Sequence, residues 1–458
     1  MEHHCVNTVK VERTVLYGEA VHNNRPPQET LLSDNEPVIS FSKTDGTGFG
    51  LNLKQLSRGL LLCGETGCGK TTVINHCAES IFRIMDEKDV CVILDVKGEF
   101  AQRYFDPNNE NHIIFGSTGP YARYTSAWNI YREVYAAAAA EVNEFSDFDQ
   151  LLDTYAFDIA KNIFFGRAGT SQPFFCEAGQ TLVAAALADH IRRGMREKNL
   201  KTLNNAKLVE FFNKATPQHY ANLVASNPQL KNYLGEQDNN QRLGVLGTVA
   251  SAINNSFVGP FAIGIGHRQS FTITDLMETR GGKILFVEMD LALAESLVPM
   301  YRLFFDYVMK SVLSMRNRGD GNVWVLFDEL STLPQLNSLA LAMNLARAKG
   351  LKCIAALQSV SQLHIKYNEA EANSLLEGFT NIIAFRNSDK TTREMISRRA
   401  GSIYEHMFCR IDGYPMDRER EGNAIEDWDI LSLGTGEAYV MLSGYSPFRF
   451  WFPDYGKL

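Results

Sequence analysis

The sequence predicts an α/β protein, with a mostly parallel central sheet covered by helices and an all-helical domain inserted into it. Three observations carry that expectation. Short apolar runs alternate with helix-compatible stretches on both flanks of the chain. A complete glycine-rich phosphate loop joins one such run to one such helix. Between about residues 135 and 250 the β-branched runs stop and apolar residues recur at helical spacing.

In order, residues 1–50 are polar and turn-rich, with Asn23-Asn24-Arg25-Pro26-Pro27 and Thr44-Asp45-Gly46-Thr47-Gly48, and read as short strands and loops. Leu60–Cys63 is a buried strand feeding the phosphate loop, and 72–85 fits a helix. Strands follow at 90–94 and at His112–Phe115. The stretch 135–142 is alanine-rich, 148–165 and 174–193 have helical spacing, and Pro217, Asn227-Pro228 and Gly235 punctuate the remainder. The sheet resumes at Lys283–Glu288, Val323–Phe327, 352–357, 382–385 and 437–442, with a long helix at 291–315 and another at 336–348. This divides the chain into an N-terminal segment (1–50), a nucleotide-binding domain in two pieces (51–134 and 251–458) and an all-helical insertion (135–250).

Composition narrows the classes. With 458 residues there is room for two or three domains, and 45% apolar with 21% charged residues is the balance of a folded chain. A net charge of −8 excludes a generally basic nucleic-acid coat, so contact with phosphate backbones must come from local clusters. Eight cysteines without C-x-x-C pairs, several in apolar runs, fit reduced thiols in a cytoplasmic compartment. His3, His4 and Cys5 could form a metal site but read better as a disordered terminus. No stretch approaches the ~18 apolar residues of a membrane span, and the N-terminus has no signal-peptide core. The expected location is therefore cytoplasmic, with peripheral attachment at the inner membrane open through a partner.

The chemistry starts at Gly64-Glu65-Thr66-Gly67-Cys68-Gly69-Lys70-Thr71-Thr72. In G-x-x-x-x-G-K-T the glycines let backbone N–H groups curl around phosphates, the lysine reaches the β- and γ-phosphates, and the threonine hydroxyl ligates Mg²⁺. The helix behind the loop adds the positive end of its dipole. The expected ligands are ATP and Mg²⁺. The strand Val323–Phe327 ends in Asp328-Glu329, where parallel sheets bind ligands. Asp328 is the natural partner of Mg²⁺, and Glu329 the candidate to polarise the water attacking the γ-phosphate. Another strand ends at Gln358, whose carboxamide can sense the γ-phosphate and the water, or can merely cap the strand. Arg347-Ala348-Lys349-Gly350 either stabilises a helix C-terminus or offers an arginine finger to a neighbouring subunit. Asp95-Val96-Lys97-Gly98-Glu99 by itself is an ordinary strand exit.

Taken in order, the phosphate loop, Asp95-x-Lys97-Gly98-Glu99, Trp128-Asn129-Ile130, Asp328-Glu329-Leu330, Arg347-x-Lys349-Gly350 and Gln358 resemble the TraG/TraD-like coupling ATPases of conjugation and type IV secretion, within the HerA–FtsK group of motors. The resemblance covers roughly residues 55–450, helical insertion included. It implies a RecA-like P-loop NTPase, expected as a hexameric ring, that hydrolyses ATP at subunit interfaces and drives DNA through a channel. It assigns Lys70 and Thr71 to phosphates and Mg²⁺, Asp328 and Glu329 to the acid pair, Gln358 to the sensor and Arg347 to a finger acting in trans. Relaxase and secretion-channel proteins are the implied partners. The family usually begins with a transmembrane anchor, and none is expected within this sequence.

Two other functions fit the same residues: a nucleotide-gated recruitment platform for protein cargo, and a DNA motor of a mobile element or defence system. A kinase is disfavoured because the acid pair and Gln358 suit hydrolysis. Candidate backbone-tracking cations are Arg192, Arg193, Arg196 and Lys198, and Lys390, Arg393, Arg398 and Arg399, each also readable as a solvated helix face.

Overall fold

In the computed structural model, the described residues are 12–18, 20–22, 26–27, 36–43, 45–165, 173–234, 240–262, 269–290, 294–315, 321–333, 335–411 and 414–455. His3, His4, Cys5, Asn23, Asn24, Arg25, Thr44 and Gly235 lie outside them. The strands in chain order are β1 (Glu12–Tyr17), β2 (Ile39–Ser42), β3 (Gly48–Leu51), β4 (Leu60–Cys63), β5 (Val90–Asp95), β6 (His112–Phe115), β7 (Ala127–Trp128), β8 (Ser270–Phe271), β9 (Lys283–Glu288), β10 (Val323–Phe327), β11 (Leu351–Leu357), β12 (Asn381–Phe385), β13 (Ser402–Ile411), β14 (Tyr414–Asn423), β15 (Glu437–Met441) and β16 (Phe448–Trp451). The chain forms two compact units: Met1–Ile84 with Leu326–Ser331 and Lys352–Leu458, and Met85–Val325 with Thr332–Leu351.

In the first unit the strand order is β16-β15-β12-β4-β11, followed by the end of β10. β4 lies parallel between β11 (Leu61 opposite Ala355) and β12 (Leu61 opposite Ile382). Its four side chains, Leu60, Leu61, Leu62 and Cys63, are fully buried, as an apolar run covered on both faces must be. β15 and β16 add an antiparallel edge, with Ile383 opposite Val440 and Glu437 opposite Trp451. The β2–β3 hairpin seals that edge with rings. Phe49 meets Phe450 edge-on at 5.0 Å between centroids, and Phe41 meets Phe452 at 5.3 Å.

A second, three-stranded sheet, β1-β13-β14, belongs to the same unit. Its hairpin of two ten-residue strands is not legible in the sequence. Ile403, Tyr404, Met407 and Phe408 are spaced like a helix face, and Asp417-Arg418-Glu419-Arg420-Glu421 is a charge run. Cross-strand pairing holds it instead: Arg420 bridges the buried carboxylates of Glu405 and Glu426, each at 2.8 Å.

In the second unit β5, β9 and β6 are parallel, with Val92 opposite Leu285 and Leu285 opposite Ile113. The helices include Ile130–Glu141, Phe148–Ile163, Pro173–Arg196, Asn205–Lys214, Pro217–Ser226 and Asn240–Ser256, and the described residues of 135–250 contain no strand. Gly179 lets Pro173–Arg196 come close to its neighbour, since a Cβ there would stand 2.7 Å from the Phe164 ring. Buried Arg302, on the helix Ala294–Ser314, donates to the Gln335 carbonyl (2.6 Å) and the Asn162 side chain (2.9 Å). Glu133 is fully buried yet saturated: it accepts from Trp128 Nε1 (2.7 Å), the Ile273 and Thr274 amides (2.6 and 2.8 Å) and the Thr274 hydroxyl (2.8 Å).

Several boundaries differ from the sequence reading. The helix after the phosphate loop is Lys70–Ile84, starting inside the motif. The 336–348 helix is shorter, Leu339–Leu345, and continues as a 3-10 turn, Ala346–Lys349, closed by Gly350 at φ +89°. Among the described residues no helix is long and apolar enough to cross a membrane.

Candidate active site

The phosphate loop is clamped at its start by the ends of the strands flanking β4. The Gly64 amide donates to the Leu357 carbonyl of β11 (3.1 Å), and the Glu65 amide to the Arg386 carbonyl just past β12 (3.0 Å). Arg386 Nε returns a bond to the Glu65 carboxylate at 2.6 Å. Glycine is required at position 64, where a Cβ would meet Cys68 Sγ at 2.6 Å and Phe385 Cβ at 2.7 Å. Gly67 and Gly69 sit at φ +78° and +115°, the left-handed region that turns successive amides inward.

Lys70 is the first residue of the fifteen-residue helix, so its backbone sits at the positive end of the dipole. Its ammonium is buried in the curl of the loop, donating to the Gly64 carbonyl and, at 2.9 Å, to the Glu65 carbonyl. The motif thus presents amides and a lysine charge to one concavity, an arrangement able to hold a polyphosphate.

The acid strand ends in the same unit. Asp328 is buried, 5% exposed, directly after β10. Glu329 accepts from the Ser331 hydroxyl at 2.6 Å and, more weakly, from the Gln358 amide at 3.4 Å. Burial pushes the Glu329 carboxyl above its ordinary value, although the Ser331 hydroxyl and the Lys70 charge pull the other way. Gln358 follows β11, and its carbonyl is held by Asn387 Nδ2 at 2.7 Å. The first unit therefore brings together Gly64, Glu65, Thr66, Gly67, Cys68, Gly69, Lys70, Thr71, Thr72, Asp328, Glu329 and Gln358. Arg347 belongs to the second unit, in the turn Ala346–Lys349, where its Nε donates to the Met343 carbonyl at 3.2 Å.

The hydroxyl of Thr71 and the carboxylate of Asp328 are hard oxygen donors of the kind Mg²⁺ selects. Sequence reasoning missed Ser331, Asn387 and the Arg386–Glu65 pair, all defined by contacts between strand ends. It also missed Asp389, which accepts from Ser361 (2.7 Å) and Thr392 (2.6 Å). Of the basic candidates, Arg192 pairs with Asp149 and Asp153, Arg193 with Asp189, Lys390 with Glu394 and Arg393 with Asp427, and Arg399 donates to the Leu376 carbonyl. Those five are engaged within the chain.

A phosphate loop on the strand β4, an acid pair one strand beyond its neighbour and a mostly parallel sheet define a RecA-like P-loop NTPase with an inserted all-helical domain. The chain belongs to the type IV secretion-system coupling protein DNA-binding domain family, whose sequence profile matches residues 47–404. It is 25% identical to the coupling protein TraD of Escherichia coli (strain K12) over 472 residues, covering 97% of this chain and 60% of TraD. It is 23% identical to the conjugal transfer protein TraG of Agrobacterium fabrum over 309 residues, covering 62% of this chain and 45% of TraG. The chain thus spans about half the length of these relatives. Among solved structures it resembles the bacterial conjugative coupling protein TrwBdeltaN70, with TM-score 0.72, 19% identity, and coverage of 97% and 94% of the two chains. TrwB in complex with ADP and Mg²⁺ superposes with TM-score 0.69 at the same identity, covering 97% of this chain and 95% of that one.

Proposed function

We propose that this chain is the ATP-hydrolysing motor of a coupling protein, acting on DNA in conjugative or type IV secretion-like transfer as a ring, with six subunits the expected number. The observation that carries the reading is the half-buried carboxylate of Glu329, held by Ser331 in the same compact unit as the phosphate loop. In this reading the loop amides and Lys70 hold the β- and γ-phosphates. Thr71 and Asp328 would hold Mg²⁺, which would neutralise charge on the phosphate oxygens. Glu329 takes the proton of the attacking water, and its raised proton affinity suits that task. Gln358 joins the two strand ends, so a change at the γ-phosphate reaches the helix Val360–Lys366 behind it. Arg347 completes a neighbouring subunit's site. Residues 51–134 and 251–458 form the nucleotide-binding domain, 135–250 the insertion that meets DNA or protein cargo, and 1–50 a separate N-terminal segment. Location is cytoplasmic, with docking to the inner membrane and to relaxase or channel proteins supplied by partners.

TrwB in complexes with ADP and Mg²⁺ and with a non-hydrolysable ATP analogue supports nucleotide and Mg²⁺ use, and the family's description as a DNA-binding domain supports the substrate. The test is steady-state ATPase activity with and without DNA. Turnover raised by DNA and lost in Lys70→Ala supports the motor. Turnover indifferent to every DNA form, with cargo protein still bound, overturns it in favour of a recruitment platform. Mixing Arg347→Ala with Lys70→Ala protein should restore part of the activity, because mixed rings contain interfaces whole on both sides. No recovery in confirmed mixed rings would remove Arg347 from the site.

A further inference from the structure

We propose that Trp451 is the platform on which the nucleobase stacks. The inference deepens the nucleotide-site reading above and rests on it. It starts from polarity along the sheet. The hydrolytic groups, Gln358, Asp328 and Glu329, stand at the ends of β11 and β10, on one side of β4. A triphosphate with its γ-phosphate at those groups must carry its nucleoside toward the other side, over β12, β15 and β16.

What stands there is tied to the phosphate loop by backbone. The Gly436 amide donates to the Cys68 carbonyl at 3.0 Å, and a Cβ on Gly69 would lie only 3.5 Å from Gly436 Cα. The Gly436 carbonyl accepts from the Phe452 amide at 2.8 Å. Trp451, next to Phe452, donates its indole Nε1–H to the Thr435 carbonyl at 3.2 Å. A side chain at Gly436, which sits at φ +80°, would press on Trp451 Nε1 at 3.1 Å. Two glycines thus set the approach between loop and indole.

The indole's polar atom is consumed inside the chain, yet the side chain remains 55% exposed. Trp128 and Trp324 are buried in the second unit, and Trp428 is partnered by Arg420 at 5.8 Å. A fixed ring with its hydrogen bond satisfied and its face open offers stacking area at low entropic cost, and every base has a π-face to meet it. Trp451 lies outside residues 47–404, the span matched by the family profile.

The experiment compares two probes on the full chain by calorimetry: a non-hydrolysable ATP analogue and inorganic tripolyphosphate, which has the charge but no base. Trp451→Ala should weaken the analogue about 10-fold and leave tripolyphosphate within about 2-fold. Trp451→Phe should recover most of the loss. Unchanged analogue affinity in Trp451→Ala, equal loss of both probes, or no recovery with phenylalanine would each overturn the platform. Wild-type protein that binds neither probe would overturn the nucleotide site itself, and the platform with it.

Discussion

At Glu329 the balance of burial against hydrogen bonding has a measurable sign. Burial, the largest influence, raises the carboxyl above its ordinary 4.5. The folded chain therefore keeps a proton where the unfolded chain has lost it. Stability from this group is full below the unfolded value and is lost as pH rises through the folded one. Glu329→Gln should therefore be more stable than wild type in urea unfolding at pH 7, with the advantage shrinking toward pH 4. The same substitution should lower ATP turnover about 100-fold or more while nucleotide still binds, because no carboxylate remains to take the proton. The acid limb of the wild-type rate should lie above the ordinary glutamate range. Asp389 has the opposite sign. Burial pushes its carboxyl up, but donation from Thr392 and Ser361 outweighs this and holds it at about 2. Its contribution is present above the ordinary 3.8 and is lost as pH falls through about 2. Thermal melts of Asp389→Asn should show a flatter loss between pH 4 and 2 than wild type.

Between elements, single residues join segments that are far apart in the chain. Gly436 couples the β15 edge to the phosphate loop. Alanine there combines a left-handed φ with a Cβ 2.9 Å from the Phe452 carbonyl. Gly436→Ala should cost about 1–3 kcal/mol, seen as a lower Tm, and should also weaken nucleotide binding. Glu133 joins the helix Ile130–Glu141 to the start of the helix Ile273–Thr279 through three bonds, and holds the Trp128 indole by a fourth. Glu133→Ala leaves buried donors on Trp128, Ile273 and Thr274 without an acceptor. A loss of about 3 kcal/mol is expected in calorimetry, with Glu133→Gln milder because one amide oxygen remains. Elements such as β4 and β9 were legible because buried parallel strands are continuous apolar runs. The β13–β14 hairpin was not, because Arg420, Glu405 and Glu426 stabilise it by pairing across strands that no local window contains.

For the whole molecule, the proposed action of Arg347 in trans would make activity a property of the assembly. Mass photometry with ATP and DNA should then show a hexamer, and a strict monomer under those conditions would remove the ring. Most of the proposed catalytic constellation is legible in the sequence. Lys70, Thr71, Asp328, Glu329 and Gln358 lie in short motifs whose chemistry demands those residue types at strand ends, and the first unit gathers all five. The supporting groups were not readable. Ser331, Asn387 and the Arg386–Glu65 pair have common residue types at unremarkable positions, and only strand order makes them neighbours.

By itself, then, the sequence determined the phosphate loop, the acid strand and the helical insertion, because each depends on consecutive residues and on a backbone period set within a few turns. Tertiary structure alone decided what surrounds the loop. The Gly436 clamp, the exposed face of Trp451 and the raised proton affinity of Glu329 arise from close approach and exclusion of water. Those quantities are set by packing between distant segments, and no local pattern of residues encodes them.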